Sequence, residues 1–166
     1  MSTDAIVVLK EDHQQIKRLF TDFKNAGDRA YQLKAQLVES ITELLTVHTY
    51  LENEIMYPRV RELVPALEDD ILESYEEHHV ADLLLLELGA LSPEDERFTA
   101  KTTVLIESVL HHIEEEEQEW FPVVRESLGR RQLQEIGAEM VEARPGAPRR
   151  PSQPSAVKKA LDAIVS

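Results

Sequence analysis

Apolar residues recur every three or four positions from the start of the chain. Ile6, Leu9, Ile16, Phe20 and Phe23 share one helical face. Ser2 or Thr3 is placed to cap that segment, and Gly27 ends it. The stripe Leu33, Leu37, Ile41, Leu44, Leu51 and Ile55 predicts a second helix from about Asp28 to Tyr57, punctuated afterwards by Pro58 and Pro65. A third spans roughly Ala66 to Leu88, with Leu67, Ile71 and Leu85 inside and Gly89 and Ser92-Pro93 as the stop. A fourth runs from about Glu94 to Leu128, with Phe98, Leu105, Val109 and Val123 inward and Gly129 following. No segment reads as a strand. Short connections between long amphipathic helices predict an all-α fold, an up-down-up-down antiparallel four-helix bundle within residues 1–143. A last helical stretch fades near Val141, and residues 144–166 form a basic, Pro/Arg-rich C-terminal extension. There "AVKKALDAIV" has the pattern of a short amphipathic helix. A mostly disordered tail is the simpler reading, and docking on the bundle or on a protein partner is the alternative.

Composition narrows the chemistry. At 166 residues, 42% apolar and 30% charged, the chain fits one globular domain. It has no cysteine, so disulfides, thiolate metal sites and cysteine nucleophiles are excluded. The N-terminal stretch lacks the basic and apolar regions of a signal peptide. Leu83 to Leu86 is the longest strongly apolar run, far short of a membrane span. A cytoplasmic location is the simplest expectation. A net charge of −14 disfavours nucleic acids and anionic membranes as partners. The acid is uneven, because the extension from Arg144 carries five basic residues against one Asp.

The two halves of the helical region repeat. "VHTYLENEIMYPRV" aligns with "LHHIEEEEQEWFPVV" at an offset of 64, placing His48 on His112, Glu52 on Glu116, Met56 on Trp120 and Pro58 on Pro122. "EDHQQIKRLFTDF" aligns with "EEHHVADLLLLEL" at 65, placing His13 on His78. Such a duplication calls for a site built from both halves. Residues four apart lie one turn apart on the same face, so His48 points with Glu52 and His112 with Glu116. His13 falls on the stripe of Leu9, Ile16 and Phe20, and His48 on that of Leu44 and Leu51. His112 follows Leu105 and Val109, whereas His111 and Glu115 follow the polar positions Glu107 and Gln118. On the third helix the stripe fits either His78 or His79, and the repeat favours His78.

A single inward histidine is usually a satisfied core residue. Buried carboxylates are different, because each costs several kcal/mol, on the order of a strong hydrogen bond, when unpaired. Four inward histidines and two inward glutamates near mid-helix cannot all satisfy one another, and a bound cation resolves the conflict. A zinc-protease HExxH is absent, and Glu76 to His79 is the sole Glu-x-x-His unit, so the ferritin-like pattern lacks its mate.

On "DHQQI", "HTYLENEIMYP", "EEHHVADLL" and "HHIEEEEQEWFP", in that order, the chain resembles the hemerythrin-like family, the HHE cation-binding domain, over roughly residues 5 to 128. The resemblance implies two non-haem irons in the middle of the bundle, oxo- or hydroxo-bridged. By position, His13 and His48 would hold one iron, His78 and His112 the other, and Glu52 and Glu116 would bridge them. Oxygen-carrying members place a second histidine one turn after the first on the third helix, where this chain has Asp82. That departure, with Asp82 as a possible further ligand, points away from reversible oxygen carriage. The leading expectation is a di-iron protein reacting with oxygen or peroxide, in the manner of a protective peroxidase or catalase. An iron- or oxygen-sensing module, or storage of oxygen, nitric oxide or iron, is the alternative.

Overall fold

The computed structural model describes residues 3–152. It contains seven α-helices among those residues: α1 (Ala5–Asn25), α2 (Tyr31–Leu51), α3 (Tyr57–Leu63), α4 (Glu68–Ala90), α5 (Phe98–Glu115), α6 (Phe121–Ser127) and α7 (Arg130–Ala143). No strand occurs among them, as the periodicity predicts. α1 packs on α2, α4 on α5, α2 on α4, and α1 on α5. The segment after Pro154 lies outside the described residues, and with it the expected short helix of the extension.

The cap of α1 is Asp4, one residue after the expected Ser2 or Thr3. Its Oδ1 accepts from the Ile6 and Val7 amides at 2.9 and 3.2 Å. Arg125 adds two bonds to the same carboxylate at 3.0 and 3.1 Å. Burial opposes ionisation of Asp4, but these donors outweigh it and hold the carboxyl below its usual range.

The expected second and fourth helices are each interrupted by a π-helical turn, Glu52–Met56 and Glu116–Trp120. The Tyr57 N–H reaches back five residues to the Glu52 carbonyl, and the Phe121 N–H does the same to Glu116. The cause lies one residue on. Pro58 and Pro122 lack a donor, and a proline ring in a regular helix meets the carbonyl four residues back. A wide turn relieves that contact and lets the helix continue to Leu63 and to Ser127. It also inserts one residue, which rotates everything downstream. The inward positions are therefore Met56, Tyr57 and Val60 rather than Ile55, and Trp120, Phe121 and Val124 rather than Val123, which is exposed. Leu33 is likewise exposed, and α2 turns Lys34, Val38, Ile41 and Leu45 inward instead.

The stretch expected to fade near Val141 is a complete helix, α7, that continues to Ala143. α7 packs along α1 and buries Leu133, Ile136 and Met140 in the same apolar cluster as Ala5, Ile6, Leu9, Tyr57, Trp120 and Phe121. A second apolar cluster holds Ile16, Phe20, Ile41, Leu45, Leu85, Leu105 and Val109. Between the two along every long helix stand His13, His48, Glu52, His78, His112 and Glu116. The core is thus two apolar blocks separated by one polar layer.

Gly137 sets the approach of α7. A Cβ there would stand 1.5 Å from the Thr3 carbonyl oxygen and 2.7 Å from the Ala5 amide, both backbone atoms that cannot rotate away. Gly137→Ala should therefore destabilise the chain by about 1–3 kcal/mol despite alanine's better helix propensity. Thermal unfolding would show it as a lowered Tm; an unchanged or raised Tm would mean that α7 does not seat against the N-terminal residues as described.

Candidate metal centre

The polar layer brings together all six residues that the spacing singles out. His13, Glu52 and Glu116 are fully shielded, and His48, His78 and His112 are buried. The histidines meet as two pairs, His13 with His48 at a ring-centroid distance of 4.9 Å and His78 with His112 at 4.8 Å. His79 is only half-buried, and His111 pairs with Glu115 at the surface, 2.9 Å apart. The one-turn spacing therefore sorts the inward from the outward half of the acidic run.

Each imidazole is held from outside through Nδ1. The partners are Glu117 for His13 at 2.8 Å, Asp12 for His48 at 3.1 Å, Asn53 for His78 at 2.7 Å and Glu77 for His112 at 3.4 Å. An Nδ1–H that donates outward leaves the Nε2 lone pair facing inward, the tautomer a metal ligand needs. The duplication extends to these supports. Asp12 and Glu77 each precede a site histidine, Asn53 and Glu117 each follow a site glutamate, and each supports a histidine on another helix.

The inner atoms are short of partners. Among the described residues, the buried side-chain atoms without a hydrogen bond are His13 Nε2, His48 Nε2, both Glu52 oxygens and Glu116 Oε2. His48 Nε2 stands 3.0 Å from Glu52 Oε1 but out of hydrogen-bond alignment, and His78 Nε2 is 3.4 Å from the same oxygen. Glu116 reaches both pairs, with Oε1 on His112 and Oε2 3.6 Å from His13 Nε2. His78 and His112 bring their Nε2 atoms within 3.1 Å of each other. Two nitrogens each about 2.1 Å from one ion at a right angle would have close to that separation. The ligand atoms of Glu52, His78, His112 and Glu116 all fall within 4.8 Å, so this group could hold a metal ion.

The electrostatics agree with a layer short of positive charge. Burial alone would lower both His48 and His112, yet Glu52 and Asp12 push His48 up to about 10, and Glu116 with Glu77 holds His112 well above its usual value. Burial would raise Glu52, but the facing His48 and His78 keep it well below the carboxylate range. His13 and His78 are lowered, first by burial. In the metal-free chain the two carboxylates thus retain protons on two imidazoles, and a cation would replace those protons.

Two placements depart from the sequence reading. Asp82 is not part of the cluster. The inward stripe of α4 runs Ile71, Ser74, His78, Ala81, Leu85 and Leu88, so the residue three after His78 faces inward and the one four after it lies on the flank. Partial burial there raises its pKa to about 6. The second departure is Tyr57, which helical phase did not place in the site. The π turn swings it inward, where its hydroxyl donates to Glu116 Oε1 at 2.8 Å and lies 3.3 and 3.2 Å from the Nε2 atoms of His78 and His112. Burial and the carboxylates Glu116 and Glu52 raise its pKa well above normal, so the phenol keeps its proton. Its counterpart at an offset of 64 is Phe121, which stacks on His13 at 5.9 Å. A small cavity of about 20 Å³ adjoins the layer, lined on one side by His48, Glu52, His78 and His112 and on the other by Ile16, Leu45, Ala81 and Val109.

A family model described as the hemerythrin HHE cation-binding domain matches residues 4–124. A protein of Nostoc sp. strain PCC 7120 described as a DNA nickase is 30% identical over 137 residues, which is 82% of this chain but 38% of that protein. The chain thus spans well under half the length of that relative. The crystal structure of a hemerythrin HHE cation-binding domain-containing protein from Mycobacterium kansasii superposes with a TM-score of 0.72 at 22% identity, over 86% of each chain. At that identity the likeness is one of fold.

Replacing His112 by Ala or Glu116 by Gln should sharply lower bound metal, whereas His111→Ala and Glu115→Gln should not. Elemental analysis of the purified variants decides this, and equal losses in both sets would overturn the assignment. Metal uptake at neutral pH should also release protons, because His48 and His112 are charged below their raised pKa values. Affinity should then rise with pH, and calorimetry in two buffers of different ionisation enthalpy would detect the release; its absence would contradict the charge state described.

Proposed function

Since the chain belongs to the hemerythrin HHE cation-binding domain family, we propose that the polar layer holds two iron ions, on which a small oxygen species such as dioxygen or peroxide reacts. The observation that carries this reading is the orientation of the four imidazoles, each fixed outward through Nδ1 with Nε2 turned toward two buried carboxylates. His13 and His48 would serve one ion and His78 and His112 the other. Glu116, whose two oxygens face different histidine pairs, would span them together with Glu52. A mixed nitrogen and oxygen set without thiolate suits iron, and bound iron supplies the redox electrons for reaction with an oxygen species.

The protein's own groups shape that chemistry. The adjoining cavity has room for a ligand of a few atoms and excludes bulky organic substrates. Tyr57 holds a proton beside Glu116 and the second histidine pair. A proton donor at that point favours reduction of a peroxide over reversible carriage or storage, because the departing oxygen must be protonated. This replaces Asp82 as the support for a reactive site. The nicking activity in the name of the cyanobacterial relative is not carried over. The layer is buried, the chain is strongly acidic, and Arg144, Arg149 and Arg150 are engaged with Asp12, Glu43 and Glu39.

Protein purified with iron should contain close to two irons per chain and, with an added electron donor that returns the iron to its reduced state, turn over hydrogen peroxide in a steady-state assay. Tyr57→Phe should keep the iron and lower turnover about 100-fold. After anaerobic reduction and exposure to oxygen, purging should not restore the reduced spectrum. A folded chain with one iron or none, or an oxygen adduct that reverses on purging, would overturn the reading.

A further inference from the structure

Two of the four outer supports also face a cation: Glu117 lies 3.8 Å from the half-exposed Lys17 ammonium, while Asp12 is held at hydrogen-bond distance by an arginine. Asp12 Oδ2 accepts from His48 Nδ1 at 3.1 Å and from the Arg144 guanidinium at 2.8 Å. Its counterpart in the other half, Glu77, has no cationic Lys or Arg paired with it among the described residues. Arg144 is the first residue after α7 and opens the short turn Arg144–Gly146, beyond which Ala147 is buried. The carboxylate of Asp12 is almost wholly buried, yet it borders a cleft of about 390 Å³ lined by Thr3, Val8, Glu11, Gln15, Val141 and Arg144. Without Arg144, water in that cleft would compete with the imidazole for the Asp12 carboxylate. A charge-assisted bond from a guanidinium fixes the carboxylate's rotamer and leaves its lone pairs to the ring.

We propose that Arg144 is a positioning residue for the metal centre, acting through Asp12 on His48, so that the end of α7 and the cation site form one unit. This rests on the reading of the layer as a cation site. Removing the outer support of a metal-binding histidine typically weakens binding about 10- to 100-fold. Loss of the residue that holds that support should act in the same direction, by a smaller factor.

The test is titration of the full chain with cobalt(II), followed by its visible absorption, in the wild type and in Asp12→Ala, Arg144→Ala, Arg144→Lys and Arg150→Ala variants and the double variant D12A/R144A. Asp12→Asn stands in if D12A fails to fold. Arg144→Ala should weaken cobalt binding and alter its spectrum, and Arg144→Lys should restore part of both. Arg150→Ala removes only a surface pair with Glu39 and should match the wild type. With Asp12 already gone, removing Arg144 should cost nothing further, the signature of action through Asp12. Equal losses from R144A in both backgrounds, or a lowered Tm with unchanged cobalt affinity and spectrum, would overturn the proposal. A wild-type chain that binds no cobalt would instead remove the centre itself.

Discussion

Everything in this fold is arranged around two carboxylates held out of water. Glu52 and Glu116 are fully shielded, and apolar blocks lie above and below them. An isolated carboxylate in such a place costs several kcal/mol, on the order of a whole hydrogen-bonded network. The four imidazoles around it supply only part of the compensation, since burial lowers the pKa of His13 and His78, and the inner nitrogens of His13 and His48 lack hydrogen bonds. The layer divides what would otherwise be one continuous core, in keeping with a family described as cation-binding.

The internal duplication explains how so many polar groups are placed with so few instructions. One half-unit contributes a histidine, the acid before it, a second histidine, a glutamate one turn on, and a polar residue after the glutamate. Two such units facing each other generate both histidine pairs, both buried carboxylates and all four outer supports. The π turns belong to the same unit, because each begins at a site glutamate and precedes a proline. The halves then diverge where chemistry can be adjusted: Tyr57 against Phe121, Asn53 against Glu117, and the Arg144 contact on one side alone.

Much of this was legible in the residues. The one-turn spacing of His48 with Glu52 and of His112 with Glu116, and the repeat that chose His78, brought together the six side chains that meet in the layer. The helices α1 and α4 were legible too, because their apolar stripes are uninterrupted. Helical phase failed after each proline. A regular period carried past Pro58 and Pro122 misses the inserted residue, so Val123 was turned inward and Tyr57 was left out of the site. Asp82 is only partly buried, since α4 turns the residue three after His78, Ala81, most fully inward. The outer supports were hidden because each joins residues distant in sequence, such as His13 and Glu117, which no local pattern connects. α7 was underestimated because its burial depends on a glycine whose purpose shows only when Thr3 lies against it.

The exchange of Asn53 for Glu117 between the halves changes more than a hydrogen bond. An imidazole whose Nδ1–H leans on a carboxylate takes on anionic character and becomes the stronger electron donor, whereas one leaning on an amide does not. His13, His48 and His112 are of the first kind and His78 of the second. The pair His13 and His48 therefore leans on carboxylates through both rings, whereas the pair His78 and His112 does so through one, and the two ends of the layer differ in how strongly they donate electrons. The layer thereby has two unlike ends, although its histidines come in matched pairs.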